Sequence, residues 1–313
     1  MQDRELGGTG LRVTALCVGT SPLASMPGLY GYEVDEARAV ATVRAALGSP
    51  IRFLDTSNGY GAHGESESRI GEALRESGGI PEGFVLATKV DPRPGSSDFS
   101  GARVRESYRE SLERLGVERV PLLHLHDPER IGVEASLAPG GPVEALRQLK
   151  AEGRVDWIGV AGGALSVLRP LVDTGVFDVV LTHNRYTLLD RSAEELIAEA
   201  SARGLGVLNA APYGGGLLAR GPASTSKYAY AERGDARAAA ERMQAACERH
   251  GVPLAAAALQ FSLRDERIAS TVVGVSSPER IDQTLSLAAQ EIPDDLWAEL
   301  GRLTPPKSSW LND

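Results

Sequence analysis

The sequence predicts an α/β protein, a (β/α)8 TIM barrel preceded by an N-terminal β-hairpin. Three observations lead there. Eight short apolar runs recur along the chain and an amphipathic helical pattern follows most of them, as parallel strands with helical crossovers require. The length, 313 residues, holds eight such units, which take about 250 residues in a typical barrel. The rival, an open doubly wound sheet, carries a G-x-G-x-x-G turn after its first strand; here that strand runs into CVGTSPLASMPG, which does not fit.

The chain opens on RELGGTGLRV, a hairpin with a glycine turn that can plug the barrel floor. The eight strands are then ALCVGT (15–20), IRFLDTS (51–57), FVLATKV (84–90), PLLHLHD (121–127), WIGVAG (157–162), VVLTHN (179–184), GVLNAAP (206–212) and TVVGVS (271–276). Between them, VDEARAVATVRAAL (34–47) and GARVRESYRESLERLG (101–116) space apolar residues three and four apart, as one buried helix face requires. SAEELIAEASARG (192–204) does likewise, with Ser192 as N-cap, Glu195 as its capping-box partner and Gly204 as the stop. In SPERIDQTLSLA (277–288), Ser277 is the N-cap and Pro278 takes the first helical position. The Gly/Ser/Tyr-rich GPASTSKYAYAERG (221–234) is expected to be a mobile surface loop, and Trp310 to belong to a C-terminal tail that folds over the mouth. Trp157 and Trp297 read as packing residues. No linker divides the chain, so residues 1–313 are expected to form one domain.

Composition narrows the function. Hydrophobic residues make up 42% and charged residues 24%, which is ordinary for a globular chain. A net charge of -9 and a pI near 5.2 argue against a nucleic-acid or anionic-membrane surface, both of which need a basic face. Cys17 and Cys247 lie far apart and outside any C-x-x-C spacing, which argues against a disulfide framework or cysteine-rich zinc site. The N-terminal MQDRELGGTGLRV lacks an apolar signal core, and no apolar run approaches the ~20 residues that span a bilayer. The expectation is a soluble, cytoplasmic protein; its oligomeric state is not legible.

Barrel chemistry sits where strands end and βα loops begin. Those positions hold Asp55 and Tyr60, then Lys89, then His126 and Asp127, and later His183 and Asn184. A single strand-end lysine or aspartate is ordinarily half of a structural ion pair, and a lone tyrosine packs. Convergence at one mouth changes the reading. A phenol titrates near 10; an adjacent ammonium such as Lys89 favours the phenolate, and Asp55 can hold that ammonium in place. Tyr60 then serves as general acid or base, while His126 hydrogen-bonds and polarises the same substrate oxygen.

FLDTSNGYG, LATKV, LLHLHDPE, IGVAG, LNAAPYGGGLL and VVGVSSPERI, in this order and across nearly the whole chain, resemble the aldo-keto reductase superfamily. Within it, HLHDPE, VAGG and NAAPYGGGLL are most similar to the sugar dehydrogenases that oxidise D-threo-aldoses, L-fucose and L-galactose, and to related pyridoxal 4-dehydrogenases. The resemblance implies a tetrad on Asp55, Tyr60, Lys89 and His126. It implies NAD(P)(H) held across the barrel mouth without a metal, at Thr20, Asp55, His183, Tyr213, Gly214, Gly216, Leu217, Gly274, Ser276, Arg280 and Gln283. The implied substrate is a small sugar or aldehyde.

Departures from the superfamily pattern matter. Ala161-Gly162 replaces a Ser-Asn pair, His183 stands where Gln is frequent, and Ala210 replaces a tyrosine that stacks on nicotinamide. Gly274 takes the place of a lysine that pairs with the 2′-phosphate of NADP, which removes a charge-assisted contact and favours NAD. The helix start at Ser276–Ser277 can still hold a phosphate through backbone N–H groups. Two other readings compete. HLHD offers His124 and His126 on one strand face, with His183, to a hydrolytic metal, but no further ligands follow in sensible order; His124 is then expected one layer deeper, hydrogen-bonded in the barrel. A non-catalytic NADP-binding regulatory barrel would not need a tuned phenol.

Overall fold

The structure, a computed structural model, describes residues 2–225 and 227–312. A short antiparallel hairpin comes first, β1 (Asp3–Glu5) against β2 (Arg12–Thr14). Seven parallel strands follow: β3 (Leu16–Gly19), β4 (Phe53–Asp55), β5 (Val85–Val90), β6 (Leu122–His126), β7 (Trp157–Gly162), β8 (Val179–His183) and β9 (Gly206–Ala210). A ribbon of β10 (Lys227–Tyr228) and β11 (Ala231–Glu232) intervenes before β12 (Ser270–Gly274), which pairs with both β9 and β3 and closes the eight-stranded barrel. All eight expected barrel strands are present, each within its expected span or extended by at most one residue.

Thirteen α-helical segments occur among the described residues. In order they are α1 (Pro27–Tyr30), α2 (Glu36–Leu47), α3 (Glu65–Glu76), α4 (Gly101–Leu115), α5 (Gly132–Leu137), α6 (Pro142–Ala151) and α7 (Leu165–Asp173). Then come α8 (Glu194–Ala202), α9 (Leu217–Arg220), α10 (Gly234–Arg249), α11 (Leu254–Leu263), α12 (Glu279–Ala289) and α13 (Asp294–Leu303). Outward-facing Leu54, Leu86, Leu123, Ile158 and Val180 pack with helix residues such as Val43, Val104 and Leu146 in the largest apolar cluster.

Alternation along the strands separates two interiors. Inward positions near the strand starts are apolar: Phe53, Val85, Ala87, Leu122, Leu181 and Leu208 share one cluster inside the barrel. Two residues on, the same columns turn polar, giving Asp55, Lys89, His124 and His183. The barrel is therefore apolar below and polar above. Leu6 and Val13 of the hairpin region join the lower cluster, so the expected plug is present. Its Gly8 N–H donates to the Gly204 carbonyl at 2.7 Å. Gly7 sits at φ +56, and a Cβ there would fall 2.3 Å from the Gly206 nitrogen; backbone meets backbone, which only glycine permits.

Local expectations fail where a neighbour outcompetes the local signal. Ser192 does not cap α8; the N-cap is Ala193, because the Asp190 carboxylate takes both the Ser192 N–H (2.8 Å) and its hydroxyl (2.6 Å). Gly204 does end the helix, at φ +79. At α12 the N-cap is Pro278 rather than Ser277, with helical dihedrals φ -54 and ψ -41 and no side-chain cap bond; the Ser277 carbonyl still accepts from Arg280 N–H at 3.1 Å. Of segment 221–234, whose Ser226 lies outside the described residues, the part around Tyr228 is anchored to the barrel. Tyr228 is buried, and its hydroxyl donates to the Asn184 carbonyl at 2.8 Å and lies 2.8 Å from Thr187 Oγ1. No described residue of the C-terminal tail lines the mouth cavity; Arg185 holds the Leu311 and Asn312 carbonyls and Asp190 accepts from Leu311 N–H. The Trp310 indole donates to the Pro305 carbonyl at 3.1 Å, and Trp310 does not line the mouth cavity. No helix among the described residues is long and apolar enough to cross a membrane.

Candidate active site

Lys89 is the hub. It comes from the last inward position of β5 and is 1% exposed. Its ammonium donates to the Asp55 carboxylate at the end of β4, to the Thr56 carbonyl at 2.7 Å and to the Tyr60 hydroxyl at 3.1 Å. Three acceptors saturate an ammonium, so its position is fixed. The Tyr60 ring meets the His126 ring edge-on, centroids 5.5 Å apart. Asp55, Tyr60, Lys89 and His126 thus face one cavity.

The electrostatics depart from expectation at Tyr60. Burial pushes the phenol well above its ordinary value, and the Asp55, Asp127 and Asp91 carboxylates add to that. One ammonium does not offset three carboxylates and desolvation, so in this state the phenol holds its proton. At His126, burial alone would lower the imidazole, but Asp127 and Asp91 outweigh it and hold it above the usual range. Asp91 is a site residue that the strand-end reading misses. It is fully buried and accepts from Gly59 N–H at 2.8 Å and from the Ser57 hydroxyl. Its Oδ1 lies 2.8 Å from His126 Nδ1. A signal is present in LATKVD: Asp91 follows Lys89 by two, hence on the same side of the strand.

The cavity measures about 570 Å³ and runs from the tetrad to the start of α12. Of the expected cofactor positions, Asp55, His183, Tyr213, Gly216, Gly274, Ser276, Arg280 and Gln283 line it; Thr20, Gly214 and Leu217 do not. Thr20 is buried in the frame, donating its hydroxyl to the Asp55 carbonyl at 3.0 Å. Gly214, at φ +58, makes room for Tyr228, whose ring would lie 2.2 Å from a Cβ. Leu217 is fully buried in the apolar cluster around α10. A long dinucleotide fits the residues that remain. Asp55 Oδ2 and Tyr213 Oη are buried polar atoms with no hydrogen-bond partner among the described residues, and both residues line the channel. Arg280 sits at its far end, 3.1 Å from Gln283 Oε1.

The departures resolve into contacts. Ala161, His183 and Ala210 line the channel at the end beside the tetrad. Gly162 leaves room for the Glu129 carboxylate: a Cβ at Gly162 would fall 2.5 Å from Glu129 Oε2, while Glu129 Oε1 accepts from Gly163 N–H at 2.8 Å. His124 is buried, but neither ring nitrogen has a hydrogen-bond partner among the described residues. Burial, Lys89 and His126 push it well below its ordinary value, so it stays neutral. His63 is exposed. The rim carries Leu29, Tyr30, Tyr32, Tyr230 and Arg130, with the Tyr30 ring 5.8 Å from Tyr32 and 6.1 Å from Tyr230.

Comparison with known proteins gives a consistent picture. Residues 15–304 match the aldo/keto reductase family. The chain is 34% identical to a pyridoxal 4-dehydrogenase of Microbacterium luteolum, covering 96% of each chain. It is 35% identical to a D-threo-aldose 1-dehydrogenase of a Pseudomonas species over 95% of this chain and 96% of that one. An L-galactose dehydrogenase of Arabidopsis thaliana is 34% identical over 92% of this chain and 88% of its own. Among solved structures, the holo form of the aldo-keto reductase AKR11C1 from Bacillus halodurans superposes with a TM-score of 0.76 over 97% of both chains; at 24% identity it speaks for the fold alone.

Proposed function

Since the chain belongs to the aldo/keto reductase family and is an oxidoreductase of that family, we propose that it oxidises an aldose at C1 to the lactone with NAD(P). The sugar would be fucose-, arabinose- or galactose-like, and the whole chain would act as one cytoplasmic barrel domain. One observation carries the reading: a buried ammonium, Lys89, bonded at once to a carboxylate and to the phenol of Tyr60, with His126 beside them in one cavity.

In this mechanism the bound cofactor supplies the hydride acceptor and, when oxidised, a positive ring. Tyr60 moves the proton of the anomeric hydroxyl. Lys89 holds the phenol oxygen and opposes the carboxylates that raise it, Asp55 balances and orients the Lys89 ammonium, and His126 orients the reacting oxygen. Asp55, His183, Tyr213, Gly216, Gly274, Ser276, Arg280 and Gln283 would hold the cofactor, NAD or NADP with NAD favoured.

A second reading, reduction of aldehydes or ketones including pyridoxal-type substrates, draws on two features. The phenol at rest is a proton donor, and the rim of Leu29, Tyr30, Tyr32 and Tyr230 suits a flat apolar molecule. The test is a panel of aldoses and aldehydes with NAD, NADP and their reduced forms, followed by nicotinamide absorbance. Aldose-dependent reduction of NAD that vanishes in Tyr60→Phe supports the first reading. Turnover of aldehydes alone supports the second, and turnover that survives Tyr60→Phe removes the mechanism.

A further inference from the structure

We propose that Asp91 is a positioning residue that locks His126 in the Nδ1–H tautomer, so that the charge of the ring decides what Nε2 does to the substrate. The inference rests on the reading above, in which His126 faces the reacting oxygen. Asp91 lies outside the tetrad and, at the base of His126, accepts from three sides.

The hydrogen-bond inventory fixes the proton. His126 Nδ1 has two neighbours, Asp91 Oδ1 at 2.8 Å and Ser57 Oγ at 3.0 Å. A carboxylate only accepts. The Ser57 hydroxyl gives its single proton to Asp91 Oδ2, so toward the imidazole it too offers a lone pair. Both partners demand an N–H, and Nδ1 must carry it. Gly59 N–H pins the carboxylate at 2.8 Å, and a Cβ on Gly59 would lie 2.6 Å from the Asp91 carboxyl carbon. The residue preceding Tyr60 is therefore a glycine so that this carboxylate can sit beneath the ring.

The consequence falls on Nε2, the nitrogen left for the cavity. In the neutral ring it is a bare acceptor, able to take a hydrogen bond from an alcohol. In the imidazolium it is a donor, able to hold a carbonyl oxygen. One residue then serves both directions, with protonation as the selector. Several groups face the ring: Lys89 from β5 and Asp91 directly after it, Tyr60 from the loop after β4, His124 one layer below, and Asp127 next along the chain, its Oδ1 3.7 Å from Nε2. His183 reaches the same Asp127 oxygen at 3.7 Å, and Arg130 lies 3.5 Å from Asp91. The two carboxylates favour the charged ring, while Lys89 and burial oppose it. Removing the Asp91 charge moves the balance toward the neutral ring.

The experiment is nitrogen-15 NMR of His126 in the full-length protein with NAD bound, assigned by the signal lost in His126→Gln, beside pH profiles of both directions. Above its titration the wild-type ring should keep its proton on Nδ1. Carbonyl reduction should fall, and alcohol oxidation rise, as pH passes through that titration. Asp91→Asn should move the crossing to lower pH by about one unit or more, in kcat rather than in the KM for NAD. A neutral ring protonated on Nε2, or an Asp91→Asn crossing superimposed on the wild type, overturns the proposal. If Asp91→Asn does not fold, the wild-type spectrum decides alone. Absence of turnover on every substrate would sink the functional reading while leaving the tautomer legible.

Discussion

At Lys89 two demands meet on one ammonium, charge balance for Asp55 and a hydrogen bond for Tyr60. Both side chains of the ion pair are nearly inaccessible, 1% and 4% exposed, so the pair cannot be solvated piecemeal. Lys89→Met leaves a buried carboxylate unpaired, which costs about 3–5 kcal/mol. Denaturant titration should show that loss, while turnover drops by about two orders of magnitude or more and NAD still binds; unchanged turnover would take Lys89 out of the chemistry. The titrations also predict how stability depends on pH. His126 has a raised folded value, so its contribution is present below its unfolded value of about 6.5 and fades as pH rises through the folded one. Asp91 has a lowered value: burial alone would raise it, but His126, Ser57 and Arg130 outweigh that. Its contribution is present above about 3.9 and fades as pH falls through the folded value. The melting temperature should therefore decline as pH rises from about 6.5 through the folded His126 titration, and this decline should be smaller in His126→Gln. The four tetrad side chains are legible in the sequence because each ends a strand or opens its loop. The proton on Tyr60 is not, because three carboxylates from different strands act on it together, and only the fold brings them within reach.

At the scale of elements, periodicity carries most of the information. Strands of three to six residues stand out because apolar runs between glycines and prolines have no other use in a chain of this composition. The pieces that escape are those whose conformation is set from outside. The ribbon of β10 and β11 has two residues per strand, too few to show alternation, and exists because Tyr228 reaches the Asn184 backbone across the chain. Asn184 is itself left-handed, φ +62, directly after His183, so this ribbon braces the segment that carries His183 to the cavity. The hairpin at the other end is legible from its glycine turn, and its work is purely closure. Leu6 is fully buried among inward residues of the lower barrel. Leu6→Ala should cost about 2–5 kcal/mol by thermal or denaturant unfolding and leave the KM values unchanged. A shift in KM without a loss of stability would mean that the floor and the mouth are coupled, contrary to the layered interior.

For the whole molecule, a barrel that is apolar at one end and polar at the other leaves specificity to whatever the strand ends and loops place along the channel. On the proposed reading, the far end of that channel would decide between NAD and NADP. A 2′-phosphate needs a cation that can fork around it, and the candidates lining that end are Arg280, already shared with Gln283, and the amides before α12. Gly274 adds no charge, and it sits against Pro22, whose Cγ would lie 3.2 Å from a Cβ there. A side chain at 274 would ask the proline ring to give by a few tenths of an ångström. The overall charge of -9 adds a weak general bias against the more anionic cofactor, screened at physiological salt. Fluorescence titration should therefore find NAD bound at least as tightly as NADP, with the ratio moving little between low and high salt. Arg280→Ala should weaken NADP by about tenfold or more and NAD by less, since NADP would add a 2′-phosphate to whatever else that guanidinium holds. Equal losses for both would place Arg280 on the adenine that the two cofactors share, and NADP bound about tenfold tighter in the wild type would show that the α12 amides and Arg280 suffice without a lysine at 274.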